Sequence, residues 1–157
     1  MQNILFVCLG NICRSPMAEF VFRHKIARAG LSDRIATASA GTSGYHDGED
    51  MDRRTAAVLK SRGIEPAGFA SSRVTAADAG KYDLFIVMDD GNLAALKTII
   101  NVPDGRIAKL TDFIPQSGYN IVPDPYYSGD FEETFRLVDA GTDILLEKLK
   151  ASSGTQS

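Results

Sequence analysis

Ile4-Leu5-Phe6-Val7-Cys8-Leu9-Gly10-Asn11-Ile12-Cys13-Arg14-Ser15-Pro16 joins an apolar run to a short loop and then to a proline, and the reading of the fold starts from that order. The run from Ile4 to Val7 lacks polar alternation, as expected of a strand buried on both faces. Pro16 suits the first position of a helix, where its missing N–H costs nothing, so a helix is expected to start after Ser15. The turn between them holds its backbone N–H groups at the positive end of that helix. Such a turn is a cradle for an anion.

Two side chains in the cradle carry chemistry. Cys8 and Arg14 have five residues between them, so a loop curled around a tetrahedral anion brings the guanidinium opposite the thiol. The guanidinium offers a planar fork that matches two phosphate oxygens. The surrounding amides favour the thiolate of Cys8, which makes it a nucleophile aimed at bound phosphorus. Ser15 can give its hydroxyl to the Cys8 sulfur, or cap the helix, or do both. Asn11 tolerates a left-handed backbone.

Outward from this stretch, strands alternate with helices. Met17, Phe20, Val21 and His24 follow helical spacing, and Gly30 is a stop signal. Ile35 to Ala40 reads as a second strand ended by Gly41, and Tyr45-His46-Asp47-Gly48 as a polar loop. Met51 to Arg62 reads as a helix closed by Gly63, Thr75 to Lys81 as a helical turn, and Asp83 to Met88 as a third strand. A helix from Gly91 to Ile100 and a strand from Arg106 to Leu110 follow. An irregular stretch then carries Pro115, Gly118, Pro123 and Pro125. Phe131, Phe135, Val138, Leu145 and Leu149 mark the apolar face of a closing helix. This order predicts an α/β fold of three layers, a parallel sheet with helices on both faces and right-handed crossovers. One domain over residues 1–150 is expected, with 151–157 a disordered tail.

Composition narrows the function. At 157 residues and 44% hydrophobic, the chain can bury one substantial core. A net charge of −3 gives no sign of nucleic-acid binding, so positive charge must be local to the loop. Both cysteines lie in that loop, which argues for a reducing compartment; the cytoplasm is the expected address. Cys8, Cys13, His24 and His46 do not have the spacing of a metal site, and no cofactor is expected. The first apolar run has neither the basic flank nor the length of a signal or membrane segment.

The chain resembles the low-molecular-weight protein tyrosine phosphatases over nearly its whole length. The resemblance rests on Cys8 to Pro16 with Met17-Ala18-Glu19, on Ser39-Ala40-Gly41-Thr42, on Met88-Asp89 with Asn92-Leu93, and on Asp124-Pro125-Tyr126-Tyr127. Four motifs in order are more specific than the Cys8-to-Arg14 spacing, which unrelated phosphatase folds share. The resemblance implies four strands in the order 2-1-3-4. It also implies a two-step mechanism through a cysteinyl-phosphate, with Cys8 as nucleophile and Asp124 as general acid and then general base. Pro123 and Pro125 restrict the backbone on either side of Asp124 and can hold its carboxyl over the cradle.

In the same pattern, Arg14 and the amides of Leu9, Gly10, Asn11, Ile12, Cys13 and Ser15 hold the phosphoryl group, and Asn11 bonds Ser39 to keep the loop curled. Tyr45, Tyr126 and Tyr127 form an aromatic slot, with Leu9, Ile12, His46 and Asp90 near the rim. Phosphotyrosine proteins are the implied partners, and a tyrosine kinase acting on Tyr126 or Tyr127 is a further candidate; neither membrane nor nucleic acid is expected, and the chain is expected to be a monomer. Two parts are open to Cys13: a small packing residue, or a trap for oxidised Cys8. Rival readings are a protein arginine phosphatase, which carries threonine where this chain has Ile12, an arsenate reductase, which needs further cysteines, and a silent phosphate-binding module.

Overall fold

The computed structural model describes residues 1–154. Strand β1 (Gln2–Cys8) runs through the middle of a parallel sheet with β2 (Ile35–Gly41), β3 (Leu84–Val87) and β4 (Ile107–Lys109), in the order β2-β1-β3-β4. The period of two in β1 divides its side chains between two cores. Ile4, Phe6 and Cys8 face one with Met17, Phe22 and Val138, whereas Leu5 and Val7 face the other with Val74, Leu96 and Ile100. Helices α1 (Arg14–Arg28), α2 (Arg53–Ser61) and α5 (Phe131–Gly154) pack on the first face, and α3 (Asp90–Ile99) on the second. Phe6 meets Phe22 of α1 edge to face at 5.7 Å, a favourable arrangement of ring quadrupoles.

Register brings the site together. Cys8 pairs with Gly41 across β1 and β2, and Val7 with Val87 across β1 and β3. The loops leaving all three strands therefore emerge at one edge, in the crevice where the winding reverses.

The structure corrects several local expectations. Helix α1 begins at Arg14, not after Ser15, and Pro16 is its third residue. The first four N–H groups of a helix have no intrahelical acceptor, so a proline anywhere in that turn loses no bond. Ser15 is consequently inside the helix and is not its cap. Helix α2 starts at Arg53, after the Asp52 side chain accepts the Arg54 N–H at 2.8 Å. The stretch expected to be irregular contains two 3-10 turns (Leu110–Phe113, Pro115–Ser117) and a short helix, α4 (Pro125–Ser128). The last helix runs through 151–154, the first part of the expected tail; residues 155–157 of that tail lie outside the described residues.

Candidate active site

The loop between β1 and α1 is held curled by side chains whose hydrogen directions can be assigned. Asn11 has φ of 57°, the left-handed conformation its short amide tolerates. Its Oδ1 accepts the Ser72 N–H at 3.0 Å, which identifies the other amide atom as the nitrogen. That nitrogen donates to Ser15 Oγ at 2.8 Å and to Ser39 Oγ at 2.9 Å. Ser39 Oγ in turn lies 2.6 Å from Glu19 Oε1, and a carboxylate only accepts, so the Ser39 hydrogen points there. Ser15 Oγ accepts from Asn11, keeps its own hydrogen, and lies 2.9 Å from Cys8 Sγ, to which it donates whenever the sulfur is a thiolate and can only accept. The chain Glu19–Ser39–Asn11–Ser15 thus presents one hydrogen to the thiolate.

Arg14, 2% exposed, enters from the first turn of α1. Its Nη1 donates to Asp89 Oδ2 at 2.7 Å and to the Val122 carbonyl at 2.9 Å, and its Nη2 to Asp124 Oδ2 at 3.4 Å. Burial works against its charge, but the charge on Cys8 with Asp89 and Asp124 outweighs it and holds Arg14 above its ordinary pKa. Of the five guanidinium donors, Nε–H and one Nη2–H have no protein partner among the described residues. Nε and Nη2 share one edge of the guanidinium, an edge that a phosphate can accept from bidentately. Asp89 also caps α3, accepting the Asn92 N–H at 2.7 Å, which fixes the carboxylate that orients Arg14.

Asp124 caps α4: its Oδ1 accepts the Tyr126 N–H at 3.1 Å, leaving Oδ2 toward Arg14. A cavity of about 410 Å³ opens above, lined by Leu9, Gly10, Ile12, Cys13, Ser43, Tyr45, His46, Asp124, Tyr126 and Tyr127. Cys8 and Arg14, both buried, lie outside this lining. His46 packs on Gly10 so closely that a methyl there would lie 3.1 Å from its ring. The ring is turned by Glu49 at 3.1 Å and meets Tyr45 edge to face at 4.8 Å.

The expected residues therefore converge, with one exception: Asp90 is outside the cavity lining and pairs with Lys109 at 3.0 Å. Cys13 lines the cavity as a buried thiol, pushed up to about 12 by burial and then by Asp52, Cys8 and Asp124. Sequence reasoning missed the roles of Asp89, Glu19, Ser71 and Ser72. A cap signal marks Asp89, but nothing local points to an arginine 75 residues away.

A buried cysteine and a buried arginine share the loop between β1 and α1, at the carboxyl edge of a doubly wound sheet, an arrangement of the kind cysteine-based phosphatases use. Residues 3–155 match the family model described as low molecular weight phosphotyrosine protein phosphatase, and the chain belongs to that family. It is 39% identical over 151 residues to the low-molecular-weight protein-tyrosine-phosphatase YfkJ of Bacillus subtilis, covering 96% of this chain and 97% of that protein. The crystal structure of YfkJ superposes with a TM-score of 0.94 at 38% identity, over 97% of this chain and 96% of that one. A protein tyrosine phosphatase from Entamoeba histolytica gives a TM-score of 0.90 at 34% identity, over 98% and 99% of the two chains.

Proposed function

We propose that Cys8, Arg14 and Asp124 are the working groups of this phosphotyrosine phosphatase. Cys8 Sγ attacks phosphorus, the bond to the phenolic oxygen breaks, and Asp124 gives its proton to that oxygen. Arg14 and the loop amides hold the equatorial oxygens as charge spreads over them, the main source of rate enhancement in a loose phosphoryl transfer. Water then attacks the cysteinyl-phosphate, passes its proton to Asp124, and expels the Cys8 thiolate. The Ser15 hydrogen directed at the sulfur stabilises that leaving thiolate. The observation that carries the assignment is the convergence on one loop of that hydroxyl, 2.9 Å from Cys8, and of Arg14, 3.4 Å from Asp124.

The tyrosine-lined cavity supports a phenol as the leaving group, its ring held among Tyr45, Tyr126 and Tyr127. The placement of both cysteines in one short loop, which offers no disulfide framework, supports a reducing, cytoplasmic address. Leu9, Tyr45, Tyr126 and Tyr127 are exposed at the cavity, and elsewhere among the described residues only Met1 and Ile121 are large exposed hydrophobics. That distribution supports a monomer. Tyr127, 78% exposed, is accessible to a tyrosine kinase.

The test is hydrolysis of phosphotyrosine, phosphoserine and phosphoarginine peptides in EDTA by wild type, Cys8→Ser and Asp124→Ala. Phosphotyrosine turnover abolished by Cys8→Ser and reduced about 10²- to 10⁴-fold by Asp124→Ala is expected. A preference for phosphoarginine would overturn the substrate assignment, and full activity of Asp124→Ala would overturn its role.

A further inference from the structure

We propose that Ser71 is a positioning residue for anion binding: its hydroxyl holds the Asn11–Ile12 peptide so that the Ile12 N–H faces the bound phosphoryl group. The inference rests on the loop being the phosphate site.

In a trans peptide the C=O and the following N–H point in opposite directions, and among the described residues no peptide bond is cis. A carbonyl tied to the body of the protein therefore turns the next N–H toward the cradle. The carbonyls of Cys8 and Leu9 accept the Thr42 and Ser43 N–H groups, each at 2.9 Å, which ties them to the loop leaving β2. The Ile12 carbonyl accepts the Asp52 N–H at 2.9 Å, ahead of α2, and the Cys13 carbonyl accepts the Met17 N–H at 3.3 Å within α1. Leu9, Gly10, Cys13 and Arg14 N–H groups are oriented by these four bonds.

The Asn11 carbonyl is different, because it accepts a side chain: Ser71 Oγ, at 2.7 Å. A peptide in a turn can rotate about its long axis while the flanking Cα atoms stay in place, as type I and type II turns show. Without that tie, the Asn11–Ile12 peptide is free to turn its N–H away from the anion. Ser71 is suited to prevent this. It is 4% exposed, its N–H donates to the Glu49 carbonyl at 2.7 Å, and its carbonyl accepts the Gly48 N–H at 2.8 Å. Those two bonds fix the backbone from which the hydroxyl reaches Asn11. Because the hydroxyl hydrogen is committed to that carbonyl, loss of the hydroxyl leaves a buried acceptor without its partner and removes the restraint on the peptide's rotation.

The experiment is a titration of wild type, Ser71→Ala and Ser71→Thr with inorganic phosphate, followed by the amide proton and nitrogen shifts of Ile12, with melting temperatures measured alongside. The wild-type Ile12 amide proton is expected to move downfield on saturation. Ser71→Ala is expected to bind phosphate about ten- to a hundredfold more weakly, with that shift lost, the equivalent of one charge-assisted hydrogen bond. Ser71→Thr, which keeps the hydroxyl, restores both. A merely structural serine would lower the melting temperature while the folded variant kept wild-type affinity and the Ile12 shift; that result overturns the proposal. If Ser71→Ala does not fold, the wild type decides alone, since an Ile12 amide unmoved at saturating phosphate is incompatible with the proposal. A folded wild type that binds no phosphate would instead overturn the reading of the loop itself.

Discussion

Replacing Gly41 by alanine tests how little room the phosphate loop has. Gly41 ends β2 opposite Cys8, and its backbone is fixed from both sides, donating to the Ser72 carbonyl and accepting the Val74 N–H, each at 2.8 Å. A Cβ there would lie 2.8 Å from the Leu9 carbonyl oxygen, 3.0 Å from the Ser43 carbonyl oxygen and 3.2 Å from Asn11 Cβ, where ordinary contact begins at 3.4 Å. The two closest atoms are backbone, so relief requires the loop to move by roughly half an ångström, about the tolerance of a positioned catalytic group. Overpacking of this kind costs about 1–3 kcal/mol. In a chain of this size 2 kcal/mol lowers Tm by roughly 4–8 °C. A displacement of about 1 Å costs about a hundredfold in rate, so half of that predicts roughly tenfold in kcat/KM on a phosphotyrosine peptide. Gly80→Ala is the control, because nothing lies within 4 Å of its added Cβ. Gly41→Ala with the same Tm and kcat/KM as Gly80→Ala would refute the reasoning.

Ser15→Ala removes the hydrogen directed at Cys8 Sγ and strands an Asn11 N–H. The loss of a hydrogen bond to a charged group, about 1.5–3 kcal/mol, predicts kcat lower by roughly ten- to a hundredfold, with the cysteinyl-phosphate accumulating as a larger burst in stopped-flow. An unchanged burst and kcat would place that hydroxyl outside the chemistry. The Cys13 thiol is raised from an ordinary value of 9.0 to about 12 by burial and nearby negative charge. Between those values the unfolded chain releases a proton that the folded chain keeps, so its contribution is intact below about pH 9 and stability falls as pH rises through that window. Melting curves across the window should fall more steeply for wild type than for Cys13→Ala, and parallel curves would contradict the assignment. If Cys13 traps oxidised Cys8, peroxide inactivation is reversed by thiol in wild type and poorly in Cys13→Ala; equal recovery assigns Cys13 to packing alone.

The segment from Ile4 to Pro16 was legible because its meaning is local. An apolar run, a loop and a helix start are set by residues adjacent in the chain, and a loop this short leaves Cys8 and Arg14 few ways to avoid each other. Even here the helix began two residues earlier than Pro16 suggested, because proline is tolerated throughout a first turn whose N–H groups have no helical acceptor. The motif around Asp124 was also legible, although its role as the cap of α4 was not. The sheet order came from family resemblance, since alternation of strands and helices predicts a parallel sheet without ordering it.

What orients the reactive groups lay beyond any local reading. Arg14 is aimed by Asp89, 75 residues away, the Asn11 carbonyl is held by Ser71, 60 residues away, and Ser39 is turned by Glu19. Each pairing depends on which strands are neighbours and on their register, which places the ends of β1, β2 and β3 at one edge. The proposed nucleophile and phosphate-binding arginine lie within nine consecutive residues, Cys8 to Pro16, and the proposed acid, Asp124, lies far along the chain from them. The direction of the site's hydrogen bonds exists only once segments distant in sequence have packed around them, because a hydrogen bond needs its acceptor within about 3 Å and in line, and chain order alone sets neither.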